Sequence, residues 1–228
     1  LFPAASMTVL GDFNQAIFAH AADAENFNPL EGLYGPDETA VFHFSRSYRS
    51  TRQIVEFTRS LVPGGDAIEP FERDGDVPVL TVARDRDDLH RRIAETVSAW
   101  KAEGFESIAV ICKTMAESAA VFGELAGRID GLKRITTGSF EYEKGVVVIP
   151  VALAKGIEFD AVIVYDASDR AYGDESLRRL LYTACTRAMH RLRLFSLGAP
   201  SRLLDGAAGL VREDVRDGEE VRDGAEVR

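Results

Sequence analysis

Arginine presents a planar, permanently charged fork that matches phosphate and carboxylate oxygens, and it stands in two suggestive settings in this chain. In RRLLYTACTRAMHRL, residues 178–192, a helical reading puts Leu180, Leu181, Ala184, Cys185 and Ala188 on one apolar face. Arg187 then sits on the shoulder of that face without an evident partner. Its stem could lie along the face with its head in water, or its fork could await an anion. In SRSYRST, residues 45–51, Arg46 and Arg49 flank Tyr48 just before a helix start. A stacking ring and a phosphate-seeking fork would then lie side by side; the alternative is a solvated loop with a packed tyrosine. In LGDFNQAIF, residues 10–18, a strand-like run ends in Gly11-Asp12 and turns into Asn14 and Gln15. That places an amide at the carboxyl edge of a sheet, where open α/β sheets bind ligands, unless it is a plain turn. In VALAKGIEFDAVIV, residues 151–164, Lys155-Gly156 joins two apolar runs and is followed by Glu158 and Asp160. The Lys precedes the Gly with no glycine ladder upstream, so this is not a phosphate-cradling P-loop; it reads equally as a charged surface connection.

The segments around these motifs alternate between two periodicities. MTVLGD, VFHF, PVLTVA, SIAVICK and RLRLFSL read as strands. VVVIPVA and AVIVYDA are continuous apolar runs, as expected of parallel strands covered on both faces. STRQIVEFTRSLV spaces Ile54, Val55, Phe57 and Leu61 for a helix, with Ser50 or Thr51 as its N-cap. DRDDLHRRIAETVSAWKAEG is a longer amphipathic helix closed by Gly104, TMAESAAVFGELAG is another, and a short helix is expected near PSRLL. The alternation predicts an α/β fold with a mostly parallel sheet and helices on both faces.

The chain has 228 residues, 46% apolar and 28% charged, the composition of a soluble globular domain. Its net charge of −10 argues against a broad basic face for nucleic acid. Residues 205–228 hold eight acids and four bases, so −4 of that excess lies there. This stretch repeats VRDG at Val215 and Val221 and is expected to be a disordered tail. The longest apolar run, Val146 to Ala154, is far short of the ~18 residues of a membrane span, and no membrane association is expected. Cys112 and Cys185 lie in apolar surroundings, as reduced thiols in a cytoplasmic protein would. Four scattered histidines offer no zinc spacing, so no metal site is expected. The N-terminus lacks the basic region of a signal peptide and suggests a cut inside a longer protein.

Taken in order, GDxxQxIF, SYRS, AKGxEFD and LLYTAxTRA resemble motifs III, IV, V and VI of superfamily I helicases of the UvrD/Rep type, over roughly Met7 to Leu194. The resemblance implies a RecA-like second motor domain of the P-loop-NTPase type, lacking its own P-loop. ATP and Mg²⁺ would then bind between it and an N-terminal RecA-like domain of the same protein. It implies that Arg187 is an arginine finger at the γ-phosphate, with Arg49 reaching the same group. By the same carry-over Tyr48 stacks on adenine, Glu158 contacts the ribose from the turn at Gly156, and Gln15 senses the γ-phosphate. Arg187 would have no partner in its own domain, and Arg187→Ala would leave the fold nearly untouched. The implied divisions are 1–39 for the motif III strand and crossing segment, 40–204 for the RecA-like domain and 205–228 for the tail.

AHAADAENF, residues 19–27, lacks the tryptophan that UvrD-type enzymes carry after motif III, and Pro150 and Ala152 stand where motif V usually has Thr and His. Both departures resemble the HelD branch, whose members act on RNA polymerase. The parent is therefore expected to be a DNA helicase or a HelD-type remodeller, its partners single-stranded or duplex DNA, RNA polymerase, or both. No GxxxxGK[ST] occurs, so this chain alone is expected neither to hydrolyse ATP nor to bind it tightly. The alternative is a non-catalytic protein-binding module that retains inherited motifs.

Overall fold

A computed structural model describes residues 6–17, 37–138 and 144–214. Its centre is a seven-stranded sheet built from β3 (Val79–Ala83), β4 (Ser107–Cys112), β5 (Lys133–Arg134), β6 (Gly145–Pro150), β7 (Phe159–Val164), β8 (Ala188–Leu197) and β9 (Arg212–Glu213). The strands lie in the order β5-β6-β4-β7-β8-β3-β9, and every neighbouring pair is parallel. A separate two-stranded ladder pairs β1 (Arg46–Ser47) with β2 (Glu69–Pro70), also in parallel.

Alternation along the strands sorts side chains onto two faces. Ala109, Ile111, Val147, Ile149, Val162 and Val164 belong to one core, with α1 (Arg52–Arg59), α4 (Val151–Ala154), α5 (Asp169–Tyr172) and α6 (Arg178–Cys185) packed over it. Ile108, Val110, Val146, Val148, Ala161 and Ile163 belong to the other, under α2 (Arg86–Ala102) and α3 (Met115–Leu125). The expected α/β architecture, with a parallel sheet covered on both faces, is what forms.

Local chemistry sets the helix ends. The Asp85 carboxylate accepts the Asp88 N–H at 2.9 Å, and Gly104 takes a positive φ of 93° just past the end of α2. Thr114 accepts the Glu117 N–H at 3.1 Å to start α3. Among the described residues no helix is long and apolar enough to cross a membrane.

Four expectations are corrected. First, the helix from Arg178 ends at Cys185, and the chain is already in β8 from Ala188. MHRLRLF alternates as well as it spirals, and the slot between β7 and β3 takes it as a strand, with Leu192 and Leu194 facing one core and Phe195 the other. Second, Val41–Phe44 is not a strand; it has no ladder partner among the described residues, and Phe42 and Phe44 stand 77% and 88% exposed. Third, Met7–Asp12 is likewise not in a strand. Fourth, the ordered chain does not stop at residue 204. Leu204 and Ala207 are buried, and β9 adds to β3, with the Arg212 N–H on Pro78 O and the Asp214 N–H on Leu80 O, both at 2.8 Å. The VRDG repeat at 215–224 and the tryptophan-less stretch 19–27 lie outside the described residues.

Ile111 is 1% exposed in the middle of the sheet. Ile111→Ala should therefore cost about 2–5 kcal/mol, whereas Met115→Ala, at a half-exposed position, should stay within about 0.5 kcal/mol. Urea midpoints at unchanged slope would show the contrast; equal shifts would contradict this packing.

Candidate functional site

Three loops meet at the amino edge of β7 and β8. Arg187 occupies the turn between α6 and β8, and Glu158 immediately precedes β7. The Phe159 N–H donates to Arg187 O at 3.0 Å, so the two positions are locked in register. The loop before α1 joins them: the Ser50 hydroxyl donates to Ala188 O at 2.6 Å, and the Thr51 N–H to Met189 O at 3.0 Å. Thr51 is the N-cap of α1 by position but makes no side-chain cap bond. Ser50 spends its hydroxyl on β8 rather than on the helix.

Arg187 is 1% exposed, the bulkiest of the fully enclosed side chains. Its Nε donates to Thr183 O at 3.1 Å, and its Nη2 donates to Gln15 Oε1 at 2.7 Å and Thr186 Oγ1 at 3.1 Å. The expectation that it lacks a partner in its own chain is thus corrected. Gln15 meets it because the 3-10 turn Phe13–Gln15 packs on α6. Every one of these acceptors is neutral, and Arg187 makes no ion pair among the described residues. Burial pulls its pKa down, and so does the nearby Arg49; Glu158, Tyr182 and Asp12 pull the other way.

The remaining groups complete a charged constellation. Arg49 forms an ion pair through Nε with Glu158, both side chains partly exposed. Asp12 accepts from Gln15 Nε2 at 2.6 Å and from the Asn14 N–H at 3.0 Å, which turns the amide oxygen of Gln15 toward Arg187. Burial, and then the Asp12 charge, pushes the Tyr182 hydroxyl up to about 12. A cleft of about 620 Å³ opens beside these groups, lined by Asp12, Gln15, Arg49, Ser50, Tyr182 and Thr186, with exposed Phe42 and Phe44 at its wall; Arg187 and Glu158 are not part of its lining.

The structure therefore brings Gln15 to Arg187 and Arg49 to Glu158. Gly156 takes φ 88° in the turn after α4, a conformation glycine adopts without strain, and so delivers Glu158. Tyr48 lies outside the cleft lining, 63% exposed, with its ring 5.1 Å from that of Phe71. Gln15 is not at a carboxyl edge: it docks at the amino edge of β8, because the run before it joins no ladder. Asp12, Tyr182 and Thr186 are additions that motif reading left without roles. The Asp-x-x-Gln spacing was the available signal for Asp12.

The parallel seven-stranded sheet with helices on both faces is the architecture of a helicase-type RecA-like C-terminal domain. A family model of UvrD-like helicase C-terminal domains matches residues 145–195. The C-terminal domain of a possible DNA helicase from Lactobacillus plantarum WCFS1 is 35% identical at a TM-score of 0.64, with 73% of this chain and 98% of that one covered. The chain belongs to the UvrD-like helicase C-terminal domain family. Dbp5 from S. cerevisiae, bound to RNA and ADP BeF3, is 12% identical at a TM-score of 0.47, over 84% of this chain and 56% of that one. No curated protein matches the sequence.

Desolvating one ion costs several kcal/mol, and three hydrogen bonds to a charged donor, at about 1.5–3 kcal/mol each, return a similar sum. Charge at position 187 is thus close to neutral for stability, whereas its volume is not. Arg187→Met should fold within about 1 kcal/mol of the parent, and Arg187→Ala should lose about 2–4 kcal/mol through the cavity it leaves. This replaces the expectation that the alanine variant is harmless to the fold. Thermal and urea melts of both variants test it, and a methionine variant as damaged as the alanine one would show the charge to be structural.

Proposed function

We propose that this chain is the C-terminal half of an ATP-driven superfamily I motor, supplying arginines to a nucleotide site shared with an N-terminal RecA-like domain. The observation that carries the reading is a buried guanidinium at position 187 that meets only neutral acceptors among the described residues, behind Gln15 and Thr186, which line the cleft together with a second arginine, Arg49. The donor set suits a terminal phosphate: the guanidinium of Arg187 lies within electrostatic reach of that of Arg49, and the two nearby carboxylates are engaged, Asp12 by Gln15 and Glu158 by Arg49. For the same reason Mg²⁺ is assigned to carboxylates of the partner domain.

In this reading Arg187 and Arg49 hold the γ-phosphate oxygens, Tyr48 stacks on the base, Glu158 binds the ribose and Gln15 reports the phosphate to the rest of the motor. ATP supplies the phosphoryl group passed to water, a transfer governed by positioning and charge stabilisation. Arg49 exchanges one anion for another, releasing the Glu158 carboxylate as it takes phosphate, and Glu158 becomes available to the sugar. Gln15 gives up Arg187 in the same exchange. The parent is a DNA helicase or a HelD-type remodeller of RNA polymerase; Pro150, Ala152 and the acidic charge balance favour the second.

In the full-length protein, Arg187→Met should lower kcat for ATP by about 10³–10⁵-fold with the fold intact. Near-normal turnover in that variant would overturn the assignment, and a full-length protein with no ATPase activity at all would favour a binding module. Measuring the same activity with single-stranded DNA and with core RNA polymerase separates the two parents: the HelD reading expects little response to DNA and co-purification with polymerase.

A further inference from the structure

Residues 69–75 belong to none of the four motifs, yet they run directly beside the Tyr48–Arg49 loop. The ladder of β1 with β2 sets the contact: the Glu69 N–H donates to Ser45 O at 2.9 Å and the Phe71 N–H to Ser47 O at 3.0 Å. Beyond it the strand becomes a strap across the start of α1. The Arg52 N–H donates to Arg73 O at 2.7 Å, the Gly75 N–H donates to Gln53 Oε1 at 2.8 Å, and the Asp74 carboxylate takes both Arg52 and Gln53. A side chain at position 75 would put its Cβ 2.5 Å from Thr51 Cγ2, so only glycine lets the strap lie this close.

The side chains of the strap reach the two site residues themselves. Phe71 packs its ring against Tyr48. The Nη2 of Arg73 donates to the carbonyl of Arg49, and at 3.4 Å to the carbonyl of Tyr48. Arg73 makes no ion pair among the described residues; its Nη2 serves both backbone oxygens, while its buried Nε has no hydrogen-bond partner. Both carbonyls precede the first turn of α1, where no helical bond holds them, and Ser50 anchors the loop only on the far side.

We propose that Arg73 is a positioning residue for the nucleotide site, fixing the backbone of Tyr48 and Arg49 so that ring and fork face the ligand together. This rests on the reading of Tyr48 and Arg49 as nucleotide contacts. Arg73 touches no ligand; it acts through the carbonyls it binds. Displacement of a positioned group by about 1 Å costs on the order of 10²-fold in rate.

The test is steady-state ATPase kinetics of the full-length protein carrying Arg73→Ala, Arg73→Lys, Arg49→Ala, Tyr48→Ala and the Arg73→Ala/Arg49→Ala pair. Arg73→Ala should lower kcat about 10- to 100-fold and raise KM for ATP several-fold, while the melting temperature stays near that of the parent. Lysine, which can still donate to one carbonyl, should recover part of the loss. In the Arg49→Ala background the kcat effect of Arg73→Ala should largely vanish, because both act through one group. If Arg49→Ala is slow but Arg73→Ala behaves as the parent, or if the two losses multiply, the positioning role is wrong and the nucleotide reading survives. If Arg49→Ala and Tyr48→Ala leave turnover unchanged, the nucleotide reading itself fails and takes Arg73 with it. Should Arg73→Ala not fold, Arg73→Lys against Arg49→Ala carries the same comparison.

Discussion

Arg187 is enclosed by its own chain while the charge it carries is answered only by a backbone carbonyl, a hydroxyl and an amide. A buried ion normally takes a counter-ion, whereas here three hydrogen bonds to neutral acceptors offset the desolvation. The neighbouring Arg49, of the same sign, works against the charge, and Glu158 works for it. The surrounding elements can be understood as what this placement requires. A tight turn ends α6 and starts β8 around the residue, a carbonyl one helical turn back takes Nε, and a remote segment brings an amide to Nη2. Asp12 then fixes that amide so its oxygen, not its nitrogen, points at the guanidinium. An arrangement that merely packed a side chain would need none of this.

The sheet explains why the arginine can be held so rigidly. β7 and β8 are tied at the amino end by Phe159 N–H to Arg187 O and at the carboxyl end by Ala167 N–H to Phe195 O. Asp166 adds to the second tie, its carboxylate accepting the N–H groups of Ser168 and Leu197 at 3.0 and 3.1 Å. Between these ties β7 is buried on both faces, while β8 buries Leu192, Leu194 and Phe195 and leaves Arg191 and Arg193 partly exposed, with Val162 and Leu194 toward one core and Ile163 and Phe195 toward the other. The register between the strands shifts between Phe159 and Ala161, so the Phe159 to Arg187 bond holds the turn at the amino end while the interior pairing from Ala161 onward holds the rest.

Much of this was legible in the residues. The interior runs VVVIP and AVIVY read as strands covered on both sides, and Gly104 marks where the second helix closes, whereas neither Ser50 nor Thr51 caps the first helix through its side chain. The site was half legible. Arg187, Arg49, Glu158 and Gln15 could be named from their motifs, but their pairing could not, since Gln15 and Arg187 lie 172 positions apart and only the folded chain brings them together. The end of α6 was misread because Met189–Leu192 continues a helical pattern plausibly; pairing with β7 and β3 decides against it. Val41–Phe44 has the composition of a strand without a neighbour to pair with, and ladder formation depends on that neighbour. Arg73 was invisible for a different reason: it works on carbonyl oxygens, which carry no side-chain signature.

Rigidity at one arginine and adjustability at the other follow from these contacts. Arg187 is set by strand register and cannot turn without disturbing the core. Arg49 sits on a loop whose hold is local: the Ser50 hydroxyl on one side, the strap on the other, and an exposed ion pair with Glu158 at the tip. Exposed pairs contribute little to stability, typically under about 1 kcal/mol, so the Arg49 side chain can leave Glu158 at small cost while its backbone stays fixed. Gln15 is carried by a segment that joins no ladder among the described residues, and its amide is held instead between Asp12 and Arg187. Of the two arginines, Arg187 is the fixed one, and Arg49 is the one whose side chain can change partner at small cost.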